Sequence, residues 1–376
     1  MPTSPRSFLA RLDAAAQERA RLGLRRTTTS PQARPRLDLA GNDYLGLLDH
    51  PLVVEEAVAA ARRHGGGAGA SRVVTGTSPV HRRLEDELAA LTGTASALVL
   101  STGYHANLAA VTALADRDTL IVSDAHVHAS LVDGCRLARG QVVISRHNDP
   151  AHVRELLADR TLPHALVVVE SVYSVYGDAA PLTELVEITA EYGAALLVDE
   201  AHGIGVVGDS GEGALAAAGL AGREHVVLTG TLSKSLAAQG GVIAAHEVVR
   251  EHVVNTARPF VYDTGLAPAA AGAALGALRV LREEPGLPGR CRANAALLAS
   301  ALGSQAPAGG VLSAPTAGPQ EAVDAVARAE ERGLRIGCFR PPSTPDGGSW
   351  LRLTAHASHN AEEMEWAVGV LREIRS

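Results

Sequence analysis

Sulfur and aromatic rings are scarce in this chain of 376 residues, which has three cysteines, two methionines and 3% aromatics. Cys135, Cys291 and Cys338 are odd in number and form no CxxC pair or Cys/His cluster, which speaks against a disulfide framework and a structural zinc site. With so few rings, the core has to be packed from small aliphatic side chains. The most apolar long segment, "LAPAAAGAALGALRVL" (266–281), falls short of a membrane span, carries Arg279, and reads as a packed Ala-rich core helix. The N-terminus has no continuous apolar stretch of the signal-peptide kind, so a cytoplasmic location is expected. A net charge of −7 speaks against nucleic acid or an anionic membrane as partner. "GGGAGASRVVTG" (65–76) matches neither the Walker A pattern nor the dinucleotide fingerprint, and a flexible loop is expected there.

What is present is an alternation. An amphipathic helix over Phe8 to Leu22 and a Pro-rich connector (30–36) precede "LDLAGNDYLGL" (37–47), which reads as a short strand ending in a turn. Apolar runs then follow at 96–102, 119–124, 141–145, 164–171, 194–200 and 225–230, with helical patterns such as His81 to Leu91 and Pro181 to Tyr192 between them. Strands apolar on both faces with helical crossovers predict an α/β fold around a mostly parallel sheet of about seven strands. The breakers "EEPGLPG" (284–289) separate this from helices and short strands, among them 334–339 and 350–355, expected to form a small α+β domain. The expected division is an N-terminal helical segment (1–40), a large domain (41–285) and a small C-terminal domain (286–376).

The chain is organised around Ala194 to Gly241. A buried strand there ends in Asp199 and Glu200, followed by His202; a second apolar run ends near Lys234, bracketed by Ser233 and Ser235. A lysine is usually a solvated surface residue, but this one follows a strand and precedes "AAQGG", where backbone approaches closely. Asp199 alone suits a helix N-cap. With Lys234 at a neighbouring strand end, the pair suits pyridoxal phosphate, which needs a lysine imine and an acid beside its pyridine nitrogen. "STGYHAN" (101–107) follows a strand and opens a helix, with Gly103 for close approach, so its backbone N–H groups suit an anion such as a phosphate. His128 is a structural hydrogen-bonder or a flat ring for stacking; no carboxylate or cysteine joins it and His126 in a metal ligand set. Arg352 is a carboxylate fork or an ordinary surface arginine.

On these motifs, with "GLRR", "GNDYLGL", "HVHASLVD", "DEAHGIGV", "TLSKSLAAQGG", "RPFVYDTGLAPAA" and "CFRPPSTP", the chain resembles the α-oxoamine synthases over nearly its full length. This is a fold-type-I pyridoxal-phosphate family, and the likeness is to its biotin-pathway branch. The resemblance implies decarboxylative condensation of L-alanine with pimeloyl-CoA or pimeloyl-carrier protein by a homodimer with shared active sites. It implies that Lys234 holds the cofactor as an imine and moves the Cα proton, that Asp199 pairs with the ring nitrogen and that His128 stacks on the ring. His202 and Ser174 would contact the 3′-oxygen region. Backbone at Gly103 and Tyr104 with the Thr231 hydroxyl would hold the phosphate, and Thr264 would reach the neighbouring subunit's. Arg25, Asn42, Arg352 and Thr354, with His128, are the implied substrate positions.

The chain departs from the family pattern at Val175-Tyr176, Ser343-Thr344, Trp350 and His126, changes that bear on the acyl donor more than on the cofactor. Two rivals remain: a sibling synthase using another thioester or amino acid, and a silent subunit of the same fold. Lys234, Asp199 and His128 together speak against the second.

Overall fold

The computed structural model describes residues 8–22, 24, 25, 28, 35–341, 343, 344 and 346–375. Gly23 and Arg26 of "GLRR", connector residues 30–34, and Pro342 and Pro345 of "CFRPPSTP" lie outside the described residues. The strands are β1 Leu37–Asp38, β2 Ser96–Leu100, β3 Thr119–Asp124, β4 Gln141–Ser145, β5 His164–Glu170 and β6 Ala195–Asp199. They continue with β7 Val226–Thr231, β8 Gly241–Ala245, β9 Val311–Thr316, β10 Leu334–Arg335, β11 Gly337–Phe339 and β12 Ser349–Thr354.

Seven strands form the main sheet in the order β2-β8-β7-β6-β5-β3-β4. All pairings are parallel except those of β8, which runs antiparallel to β2 and β7. The predicted α/β architecture with a mostly parallel sheet is therefore what forms. Its cause is visible in the pleat: Leu196 and Val198 of β6 join one apolar cluster while Leu197, between them, joins the other. The second cluster packs Ile121, Leu166 and Val227 under helix Gly103–Leu114 and helix Ala129–Leu137. The first packs Val122, Val167 and Leu228 against helices Pro79–Thr92 and Pro268–Glu283. A sheet covered on both faces has no polar side to spare, which is why its strands read as unbroken apolar runs.

The Ala-rich segment is the buried helix Pro268–Glu283. Its small residues let it approach helix Pro51–His64: a Cβ on Gly276 would lie 2.9 Å from Val53 Cα. Two expectations need adjustment. The segment 334–339 is two strands, because β10 pairs parallel with β1 whereas β11 pairs antiparallel with β12. β8 was not expected from its Gly- and Ala-rich sequence; it opens at Gly241, where any side chain would overlap Thr102 O. β9, β11 and β12 make a three-stranded antiparallel sheet beside the main one.

Candidate active site at the carboxyl ends of the parallel strands

The parallel strands deliver their polar residues to one edge. β6 ends at Asp199, β5 at Glu170 and β7 at Thr231, from which a short loop leads to Lys234. Helix Gly103–Leu114 starts beside them with Thr102 as N-cap, its hydroxyl accepting from His105 N at 3.1 Å. Helix Ala129–Leu137 starts from His128, whose Nδ1 accepts from Ser130 N at 3.2 Å. The result is a cavity of about 280 Å³. Gly103, Tyr104 and Thr231 line one part of it, and His128, Ser174, Asp199, His202 and Lys234 line the rest.

Asp199 is 5% exposed and fixed on both oxygens. Asn107 Nδ2 donates to Oδ2 at 2.7 Å and Ala201 N to Oδ1 at 2.8 Å, while the Thr229 hydroxyl donates to Asn107 Oδ1 at 2.6 Å. The Lys234 amine lies 2.8 Å from His202 Nε2. Withdrawal from water lowers its pKa to about 8; the Asp199 and Glu170 carboxyls oppose this, and the Arg352 guanidinium adds to it. Burial, then Lys234, Arg352 and His128, holds the His202 imidazole well below its ordinary value and therefore neutral. Burial lowers His128 too, with Asp199 opposing and Lys234 reinforcing. Glu170 is pushed well above the carboxylate range by burial and by Asp199, with Lys234 opposing, and its Oε1 is buried without a hydrogen-bond partner.

These residues fit pyridoxal phosphate. An amine near neutral pKa, a fixed buried carboxylate and a neutral imidazole share one cavity with a helix N-terminus. That N-terminus leaves no room for a side chain, since a Cβ on Gly103 would lie 2.8 Å from Thr231 Cβ. Among the described residues no group of three His, Cys, Asp or Glu side chains is placed to hold a metal ion.

A wider cavity of about 620 Å³ shares His128, Ser174, His202 and Lys234 with the first and adds Asn42 and Arg352. Arg352 is 7% exposed; Nε donates to Ser174 O at 2.9 Å, Nη2 to Asn42 Oδ1 at 3.2 Å, and its guanidinium lies 5.1 Å from the Phe339 ring centre. Other expected positions stand apart. Thr354 is fully buried, donates to Gly41 O and lines neither cavity. Arg25 is exposed and lines neither. Thr264 bridges to Ser71, and its carbonyl accepts from the Ser101 hydroxyl at 3.1 Å.

The positions expected to depart from the family pattern lie close together. His126 stacks on His147 at 3.7 Å and tilts against Tyr176, which meets Trp350 edge-on at 4.9 Å. Trp350 Nε1 donates to Asp346 Oδ2 at 3.2 Å, and His126, Val175, Ser343 and Thr344 line the wider cavity. His147 bridges Asp124 and Asp178 at 2.8 Å each; burial pulls its pKa down, but the two carboxylates prevail and raise it to about 9.

Asn107, Glu170 and Tyr44 were not singled out from the sequence, although Asn107 and Tyr44 lie inside quoted motifs. A stronger signal was compositional: Lys234 is the sole lysine in the chain, every other member of the 34 Lys and Arg residues being arginine. Where charge alone is needed, guanidinium serves; at this one position the chain keeps a primary amine.

The family model for class I and II aminotransferases matches residues 34–371. The 8-amino-7-oxononanoate synthase of Mycolicibacterium vanbaalenii is 51% identical over 98% of both chains. That of Mycolicibacterium smegmatis is 50% identical over 99% of this chain and 97% of its own. Among solved structures, SPT with its PLP internal aldimine superposes with a TM-score of 0.91 at 29% identity over 98% of each chain. The serine palmitoyltransferase of Sphingomonas wittichii gives 0.90 at 31% identity over the same shares. The Francisella tularensis 8-amino-7-oxononanoate synthase, at 23% identity, shares the fold, with a TM-score of 0.77 over 90% of this chain and 97% of that one. The chain thus belongs to the class I and II aminotransferase family, in its 8-amino-7-oxononanoate synthase branch, and is a pyridoxal-phosphate-dependent acyltransferase of fold type I.

Proposed function

We propose that the protein condenses L-alanine with pimeloyl-CoA, or with the pimeloyl-carrier-protein thioester, releasing CO₂ and the thiol and forming 8-amino-7-oxononanoate for biotin. The observation that carries this is Lys234 sharing one cavity with Asp199 and opening onto a second, larger one able to admit an acyl chain. Bound there, pyridoxal phosphate supplies an electron sink for negative charge at the alanine Cα.

The chain's own residues do the rest. Asp199, a carboxylate held by two N–H donors, keeps the ring nitrogen protonated. Lys234, with its amine pKa near 8, takes the Cα proton and later returns one. His128 would offer its ring for stacking, and His202 and Ser174, which line the same cavity, would contact the 3′-oxygen region. Gly103, Tyr104 and Thr231 hold the phosphate, and Thr264 serves the phosphate of a partner subunit in a homodimer. Arg352 and Asn42 bind substrate carboxylate at the mouth of the wider cavity; Arg25 and Thr354 complete that set, Thr354 through the backbone at Gly41. The division into 1–40, 41–285 and 286–376 and the cytoplasmic location belong to the same proposal.

The test is a product assay with L-alanine and pimeloyl-CoA, read by mass for the amino-oxo acid and by thiol release, with glycine, L-serine and other acyl-CoAs in parallel. Turnover confined to alanine and the pimeloyl donor supports the proposal. Turnover confined to another pair moves the protein to a sibling synthase.

A further inference from the structure

Tyr44 belongs to no site assigned above, yet it is wholly buried with its hydroxyl against His202. The phenol oxygen lies 2.6 Å from His202 Nδ1 and 3.3 Å from Asn42 Oδ1. On one side His202 Nε2 lies 2.8 Å from Lys234 Nζ; on the other, Arg352 Nη2 donates to Asn42 Oδ1 at 3.2 Å. Five side chains from four separate stretches of the sequence therefore form one line from amine to guanidinium.

The two links made by His202 hold one proton each and have two consistent polarities, whereas the Tyr44–Asn42 contact holds a proton in only one of them. With an ammonium at Lys234, Nζ donates to His202 Nε2, Nδ1–H donates to the Tyr44 oxygen, and the Tyr44 O–H turns to Asn42. When Lys234 stops donating, the Tyr44 O–H turns to Nδ1, and His202 carries its proton on Nε2, facing the cavity. Burial keeps Tyr44 a phenol throughout, since it raises the hydroxyl above its usual range. Facing His202 are the Lys234 and Arg352 cations and the His128 imidazole, which disfavour a second proton on the ring. Asp199 and Glu170 line the same cavity, while the Glu200 carboxylate is taken up by Ser171, Ala214 N and Leu215 N.

We infer that Tyr44 is a positioning residue: its hydroxyl decides which His202 nitrogen holds the proton and presents Nε2–H to the cofactor's ring oxygen once Lys234 is engaged as the imine. This rests on the cofactor placement proposed above. A hydrogen bond donated to that oxygen weakens its hold on the neighbouring imine proton, so the imine loses its proton at lower pH.

The test is the visible absorbance of the loaded, full-length enzyme against pH for wild type, Tyr44→Phe, His202→Gln and the double variant. Tyr44→Phe keeps the ring that packs against Gly310. Its midpoint should rise by about one pH unit, a roughly tenfold change in the proton equilibrium, and this rise should vanish in the His202→Gln background. An unchanged midpoint in Tyr44→Phe, or an equal rise with His202→Gln present, overturns the inference. A wild-type enzyme without a pyridoxal-phosphate band removes the cofactor placement as well, so the two failures are distinguishable. Should Tyr44→Phe not fold, ¹⁵N shifts of the His202 ring in the loaded wild type decide the matter: protonation on Nε2 supports the inference and protonation on Nδ1 contradicts it.

Discussion

The inner cavity and its outer rim are built by different means. Inside, the functional groups stand at the ends of parallel strands or on the short segments that follow them, and the Asp199 carboxyl is met by fixed donors. Asp199 is the model case, with Asn107 behind it and Thr229 behind Asn107. At the rim, His126 lines the wider cavity and is backed by a ring ladder, His147–His126–Tyr176–Trp350, assembled from three loops of the main sheet and one strand of the small sheet. Strand ends in a tightly packed sheet leave little freedom, which suits chemistry; loops joined through ring contacts allow adjustment, which suits a variable substrate.

Breaking the inner region should have the largest effect. Lys234→Ala removes the only amine side chain, and turnover should fall by more than the ~10²–10⁴-fold of an ordinary acid–base group, measured as product per active site with cofactor in excess. Asp199→Asn keeps the shape but not the charge. Its turnover should drop on the order of 10²-fold, with a small loss of stability because an amide leaves only one of the two donors, Ala201 N or Asn107 Nδ2, with an acceptor oxygen; steady-state kinetics with a thermal melt check both.

At the rim the effects should be smaller and confined to the acyl donor. Trp350→Ala removes one edge-on ring contact worth about 0.5–1.5 kcal/mol. It should therefore raise KM for the acyl thioester by roughly 2–10-fold while leaving KM for alanine unchanged. An equal rise in both would place the rim in general folding rather than in donor binding.

The slightest effect is on stability against pH. Folding raises the His147 pKa from 6.5 to about 9. Its contribution is thus fully present below the unfolded value of 6.5 and lost as pH rises through about 9. Urea midpoints across that window should decline in wild type and decline less in His147→Gln.

The same contrast governs what was legible in the sequence. Asp199, Lys234, His128 and Gly103 could be named because apolar runs place strand ends and small residues mark close backbone approach. The rim could not be assembled: residues 126, 147, 176 and 350 share no period, and only the fold brings them together. β8 escaped because "GVIAA" is short, with only Val242 and Ile243 β-branched, and its place is set by antiparallel pairing with β2 and β7, while the close approach of Thr102 requires glycine at 241. The split of 334–339 into β10 and β11 depends on partners hundreds of residues apart for the one and nearby for the other.

The central claim is that this chain's one lysine carries the cofactor, and borohydride reduction of the loaded enzyme tests it most directly. The account predicts one equivalent of reduced cofactor by intact mass, located on the peptide containing Lys234 and absent from Lys234→Ala. A loaded enzyme that gains no mass, or that carries the added mass on the N-terminal amine, would contradict it.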